Sequence, residues 1–94
     1  MYEFTSTYEH HDHSRAAIIV LSTTTDFAAR TQRARDAARY VAMVVCGANA
    51  RTVDEALDAD GPWGVVRTVL ATLSAELGES VTLRRVAVEV ANEQ

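Results

Sequence analysis

Hydrophobic and polar positions alternate from the first residues of the chain. Tyr2, Phe4 and Tyr8 fall on one side with Ser6 and His10, and Glu3, Thr5, Thr7 and Glu9 on the other. Period two with aromatics on one face and charge on the other predicts a half-buried strand. The polar stretch His11-Asp12-His13-Ser14 suits a tight turn. Arg15–Ser22 follows, apolar and β-branched on both faces, and reads as a central strand. The two segments together predict a β-hairpin.

The period then changes. Thr23-Thr24-Thr25-Asp26 offers several N-caps for a helix over 27–46. Phe27, Thr31, Ala34, Ala38, Val41 and Val45 form its inward stripe, and Gly47 is a natural stop. The segment Tyr40–Cys46 is apolar nearly all round, so it needs cover on more than one side. Thr52-Val53-Asp54-Glu55 has the spacing of a capping box and should open a short helix through Ala59. Asp60-Gly61 breaks it. Pro62 then suits the first position of a second long helix over 62–77, with Trp63, Val66, Leu70, Leu73 and Leu77 inward and Gly78 as its stop.

The last segment, 81–91, returns to strand character. Val86, Val88 and Val90 share a face, whereas Val81 and Leu83 fall on the other. The parity slips at Arg84-Arg85, which a bulge or a strand starting at 85 would resolve. The order β-β-α-α-β predicts one α+β domain over residues 1–94. It should have two layers, a small antiparallel or mixed sheet with two long helices packed on one face.

Composition narrows the functional classes. Ninety-four residues with 48% hydrophobic and 23% charged residues are ordinary for a small globular domain. Its core is thin enough that pairing with a second copy would be profitable. All nine basic residues are Arg, and Lys is absent. The scarcity of residues with AT-rich codons suggests a GC-rich bacterial or phage origin. A single cysteine excludes an intramolecular disulfide. No run resembles a secretory signal or is long enough to span a membrane, so a cytoplasmic protein is expected.

Three groups of residues could carry chemistry. His10, His11 and His13, with Glu9 and Asp12 beside them, are donors suited to zinc, nickel or copper, but their spacing matches no established metal signature. A solvated hairpin tip is the plainer reading, and no cofactor is expected. Arg30, Arg33, Arg35 and Arg39 crowd the first long helix and could meet nucleic-acid phosphates. Helical geometry puts Arg35 and Arg39 on one flank and Arg33 on the other, with Asp36 between, so no single basic stripe results. A net charge of −4 also opposes nucleic acid. The acidic segment 52–60 is expected to complement these arginines instead, within the chain or across a dimer.

Cys46 ends an apolar helical run and reads as a core residue without a base to activate it. Gly61-Pro62-Trp63-Gly64 matches no phosphate-loop pattern, and Asp60 is expected to cap the helix that follows. Trp63 is either a core residue on the Val66–Leu70 stripe or an anchor for a partner; its spacing favours the core.

The expectation is a non-enzymatic interaction or regulatory protein. Its partners would be an unidentified protein and a second copy, through Arg35, Arg39, Tyr40, Met43, Val44 and Trp63. A homodimer would cover Tyr40, Met43 and Val44, which point away from the inward stripe. The alternatives are a metal-binding protein or metal-dependent enzyme using His10–His13, and a nucleic-acid binder using Arg30–Arg39.

Overall fold

The computed structural model describes residues 1–90 and contains one antiparallel sheet and four helices. Strands β1 (Tyr2–Glu9), β2 (Arg15–Thr23) and β3 (Val81–Val90) lie in the order β1-β2-β3, so the apolar β2 is central. Helices α1 (Asp26–Ala29), α2 (Gln32–Ala48), α3 (Val53–Leu57) and α4 (Val66–Leu77) fill the connection between β2 and β3. Among the described residues no helix is long and apolar enough to cross a membrane.

The β1–β2 hairpin closes through the His10 amide, which donates to Arg15 O at 2.9 Å, and His13 takes the left-handed conformation with φ 61°. Ala17, Ile19 and Leu21 of β2 are fully buried, and their partners Tyr8, Ser6 and Phe4 on β1 share that side. On the opposite side Ile18 is 42% exposed. On that side Val20 and Ser22 are nevertheless buried, so the helices cover one face of the central strand and its outer face is open chiefly at Ile18.

β3 begins at Val81, and its register shifts where Leu21 faces Leu83 and Val20 faces Arg85. Arg84 is the extra residue, and it restores parity: Leu83, Val86 and Val88 all lie opposite core-facing β2 residues. The sequence parity slip at Arg84-Arg85 is thus a bulge, and the strand is longer than 85–90.

The expected helix 27–46 is interrupted. Thr31 has φ −69° and ψ 151°, and its Oγ1 accepts from Ala34 N while donating to Ala28 O. It stops α1 and caps α2: its hydroxyl serves backbone groups on both sides and so offers the chain an alternative to a continuous turn. Phe27 is consequently outside the core, 79% exposed, while Ala34, Ala38, Val41 and Val45 form the inward stripe as expected. At the other end α2 continues through Gly47 and closes at Asn49, which takes the left-handed conformation at φ 54°.

Helix α4 starts four residues later than its sequence suggests. Residues 61–64 form a turn in which Gly64 N donates to Gly61 O at 2.9 Å, and Gly64 has φ +105°. No side chain caps α4, so Asp60 does not serve there; Val66 N instead donates to Ala59 O. Thr52 caps α3 as expected, its Oγ1 accepting from Glu55 N, but the box is not reciprocal: the Glu55 carboxylate accepts from Arg51 N, one residue earlier, and α3 ends at Leu57, short of Ala59. Val66, Leu70 and Leu73 of α4 pack into one core with α2 and the sheet.

Candidate functional site

The site is set by a buried hydroxyl. Tyr40 lies on α2 and is 4% exposed. Its hydroxyl donates to Gly64 O at 2.6 Å and accepts from Trp63 N at 3.1 Å, which fastens the 61–64 turn to the helix. Gly61 lies so close that an added Cβ would sit 2.6 Å from Tyr40 Oη and 2.7 Å from Val44 Cγ2. Only a residue without a side chain lets the turn settle there.

This turn covers the flank of α2 that the sequence leaves apolar. Tyr40 and Val44 (5% exposed) are buried within the domain, and Met43 is half-buried. The uncovered Tyr40–Val44 surface expected to favour a homodimer is therefore closed by the chain itself.

Trp63 stands outside the core, 64% exposed, contrary to its expected place on the Val66–Leu70 stripe. The reason is the late start of α4, which leaves Trp63 in the turn. Its indole stacks on the Tyr40 ring with centroids 4.8 Å apart and planes 11° apart. The backbone amide is pinned and one ring face is supported, while the remainder of the indole faces solvent. Around it opens a cleft of about 310 Å³, lined by Tyr8, Asp36, Arg39, Tyr40, Met43, Pro62 and Trp63.

Arg39 also lines an adjoining groove of about 390 Å³ beside β1, together with Tyr2, Phe4, Thr5, Ser6, Ala29, Arg30, Arg35 and Ala38. Arg35 and Arg39 thus share one flank of α2, as their spacing implies. Among the described residues neither has an acidic partner within ion-pair distance, whereas Arg30 pairs with Asp26 at 3.4 Å. Arg33 lies on the other flank and pairs with Glu76 of α4. Within the chain, and among the described residues, the acidic segment makes no ion pair with the α2 arginines: Asp58 pairs with Arg67 of α4 at 3.0 Å. Asp36, at the cleft margin, accepts from Gln32 Nε2.

The histidines occupy the hairpin tip, each with its own neighbour. His10 Nδ1 lies 2.8 Å from Asp12 Oδ1, and His13 Nδ1 lies 2.7 Å from Glu9 Oε2. The His10 and His11 rings are 4.3 Å apart. The Glu9 hydrogen bond and charge raise the pKa of His13 above its ordinary value. Hydrogen bonds from Ser14, and then from His10, hold Asp12 well below the usual carboxylate range. Among the described residues no three His, Cys, Asp or Glu side chains come together to hold a metal ion. Cys46 is fully buried in the core with Val41 and Val45.

The cleft thus combines an exposed but positioned indole, a thioether, two phenols, the Asp36 carboxylate and a guanidinium with no ion-pair partner among the described residues. Such a mixture gives apolar contact area with a charged rim, and it holds no nucleophile with an adjacent base. Neither a protein-family model nor a curated protein matches this chain.

Proposed function

We propose that this domain is a non-enzymatic protein-binding module whose contact is anchored by Trp63. The observation that carries this reading is the state of that side chain: 64% exposed, yet stacked on a buried tyrosine and tied through its own amide. Exposing a large apolar ring is unfavourable in a free domain, and pinning its backbone lowers the ordering cost of a contact made through it. Tryptophan and arginine at the margin of an apolar cleft are the residue types that dominate binding energy at interfaces. Tyr8 and Met43 supply the cleft walls, and Arg39 supplies a charged contact at the rim.

The test is selection of displayed peptides on the wild-type domain, with Trp63→Ala as the counter-target. Trp63 is the chain's one tryptophan, so its fluorescence reports contact directly. Selected peptides are expected to shift that emission to the blue and to lose affinity for folded Trp63→Ala. Peptides that bind both proteins equally, with no change in emission, would overturn the reading.

A further inference from the structure

We propose that the partner is an extended acidic segment that adds as a further strand to the open edge of β1, with its carboxylates facing Arg35 and Arg39. This rests on the reading of the Trp63 cleft as a protein-binding site and names the chemistry of what enters it. Three observations meet at that edge.

The first is the edge itself. β1 pairs with β2 alone among the described strands. The bond from His10 N to Arg15 O, with the register that follows from it, directs the even positions of β1 toward β2. Hydrogen-bonding partners alternate along an antiparallel ladder, so Glu3, Thr5, Thr7 and Glu9 turn their amides and carbonyls outward. An edge with unpaired groups is a template for one more strand.

The second is charge. The groove beside this edge is walled by Arg30, Arg35 and Arg39, and among the described residues the last two have no acidic partner. Arg35 and Arg39 are one helical turn apart, about 6 Å along the axis. Alternate residues of an extended chain are about 6.7 Å apart on one face. Where an added strand follows the groove along α2, acidic residues at every second position match the spacing of the two guanidinium groups, which suit carboxylates.

The third is continuity. Arg39 lines both the basic groove and the Trp63 cleft. Phe4 lines the first and Tyr8 the second, so the same strand runs past both. An occupant of the β1 edge would carry acidic residues along the arginines and one large apolar residue to Trp63. A single-stranded nucleic acid also combines charge with stacking faces. It fits less well, because half of the outward backbone groups are carbonyl acceptors that a phosphate cannot satisfy, and phosphate binding draws on several cations in a row.

The probe is a fluorescein-labelled peptide alternating Glu and Val and ending in Leu-Leu, followed by fluorescence anisotropy with the whole chain. A counterpart with Lys for Glu, and a labelled oligothymidylate, serve as comparisons. The Glu peptide is expected to bind, to weaken as salt is raised, and to weaken at least about tenfold with Arg35→Glu/Arg39→Glu. Amides of Thr5 and Thr7 should gain protection from hydrogen exchange when it binds to the wild-type chain.

Equal binding of the Lys peptide, preference for the oligothymidylate, or unchanged exchange at Thr5 and Thr7 would overturn the proposal. So would a sample of twice the monomer mass whose Thr5 and Thr7 amides are protected before peptide is added, since a second copy would then hold the edge. The two readings fail separately. If only Trp63→Ala abolishes binding and the arginine variant binds like wild type, the acidic-strand proposal falls while the cleft stands. If the arginine variant loses binding and Trp63→Ala retains it, the edge stands without its anchor.

Discussion

At the scale of single residues, the contact among Gly61, Tyr40 and Trp63 determines the site. A methyl group at Gly61 would meet Tyr40 Oη at 2.6 Å, and the Tyr40 ring is buried and cannot swing away. Gly61→Ala is expected to cost about 1–3 kcal/mol, the usual penalty for overpacking, read as a lower urea midpoint. Tyr40→Phe removes the acceptor for Trp63 N and the donor to Gly64 O while keeping the stacked ring. It should cost about 1–2 kcal/mol and loosen the turn, which the fluorescence anisotropy of Trp63 would register as faster motion. A turn as rigid as wild type in this variant would mean that the ring stack alone positions Trp63.

At the scale of elements, the α1–α2 break and the hairpin tip each depend on a short-range hydrogen bond. Thr31→Ala deletes the cap on Ala34 N and is expected to cost about 1 kcal/mol in thermal or urea unfolding. No loss would mean that packing of Ala34 and Ala38, not the cap, holds the start of α2. At the tip, His13 has its pKa raised by Glu9. Its protonated form is favoured by folding, so the contribution is fully present below the unfolded-state pKa and is lost as pH rises through the raised one. Nuclear magnetic resonance titration should find His13 above the ordinary histidine value in the wild type and back near it in Glu9→Gln. Because both groups are exposed, the rest of the fold should be indifferent to this change.

At the scale of the whole molecule, one layer of helices covers one face of a three-stranded sheet, and the core is correspondingly thin. Leu73 is 1% exposed where α4 packs into that core. Leu73→Ala should destabilise by about 2–5 kcal/mol, a large share of what a domain of this size has. A urea midpoint within error of wild type would place Leu73 outside the packed interior. Trp63→Ala, by contrast, should leave the unfolding midpoint nearly in place, since most of that side chain is in solvent and only its stack on Tyr40 is lost. Stability and the proposed contact surface are thus separated: the first lies in Ile19, Leu21, Val41, Val45 and Leu73, the second is placed around Trp63 and the β1 edge.

Much of this architecture was legible along the chain because it depends on local periodicity. The alternation of Tyr2–Glu9 marks a one-sided strand, and the β-branched run of β2 marks the centre of the sheet. The parity slip at Arg84-Arg85 marks a bulge or a late strand start, and the register shift opposite Val20 and Leu21 makes it a bulge that keeps Leu83, Val86 and Val88 on one face. Thr52 and Gly78 mark helix ends by their own chemistry. The site was legible only in part: Arg35 and Arg39 share a flank, as helical spacing requires, but the place of Trp63 was not readable. Proline at 62 fits both the first turn of a helix and the second position of a tight turn, because both need φ near −65°. The choice fell to the turn, where Gly64 adopts a positive φ and Gly61 meets Tyr40 and Val44. Periodicity says which side of α2 is apolar, but not which segment comes to cover it. That the 61–64 turn buries Tyr40 and Val44, and in doing so leaves Trp63 exposed in the cleft it lines with Arg39, was decided by tertiary packing alone.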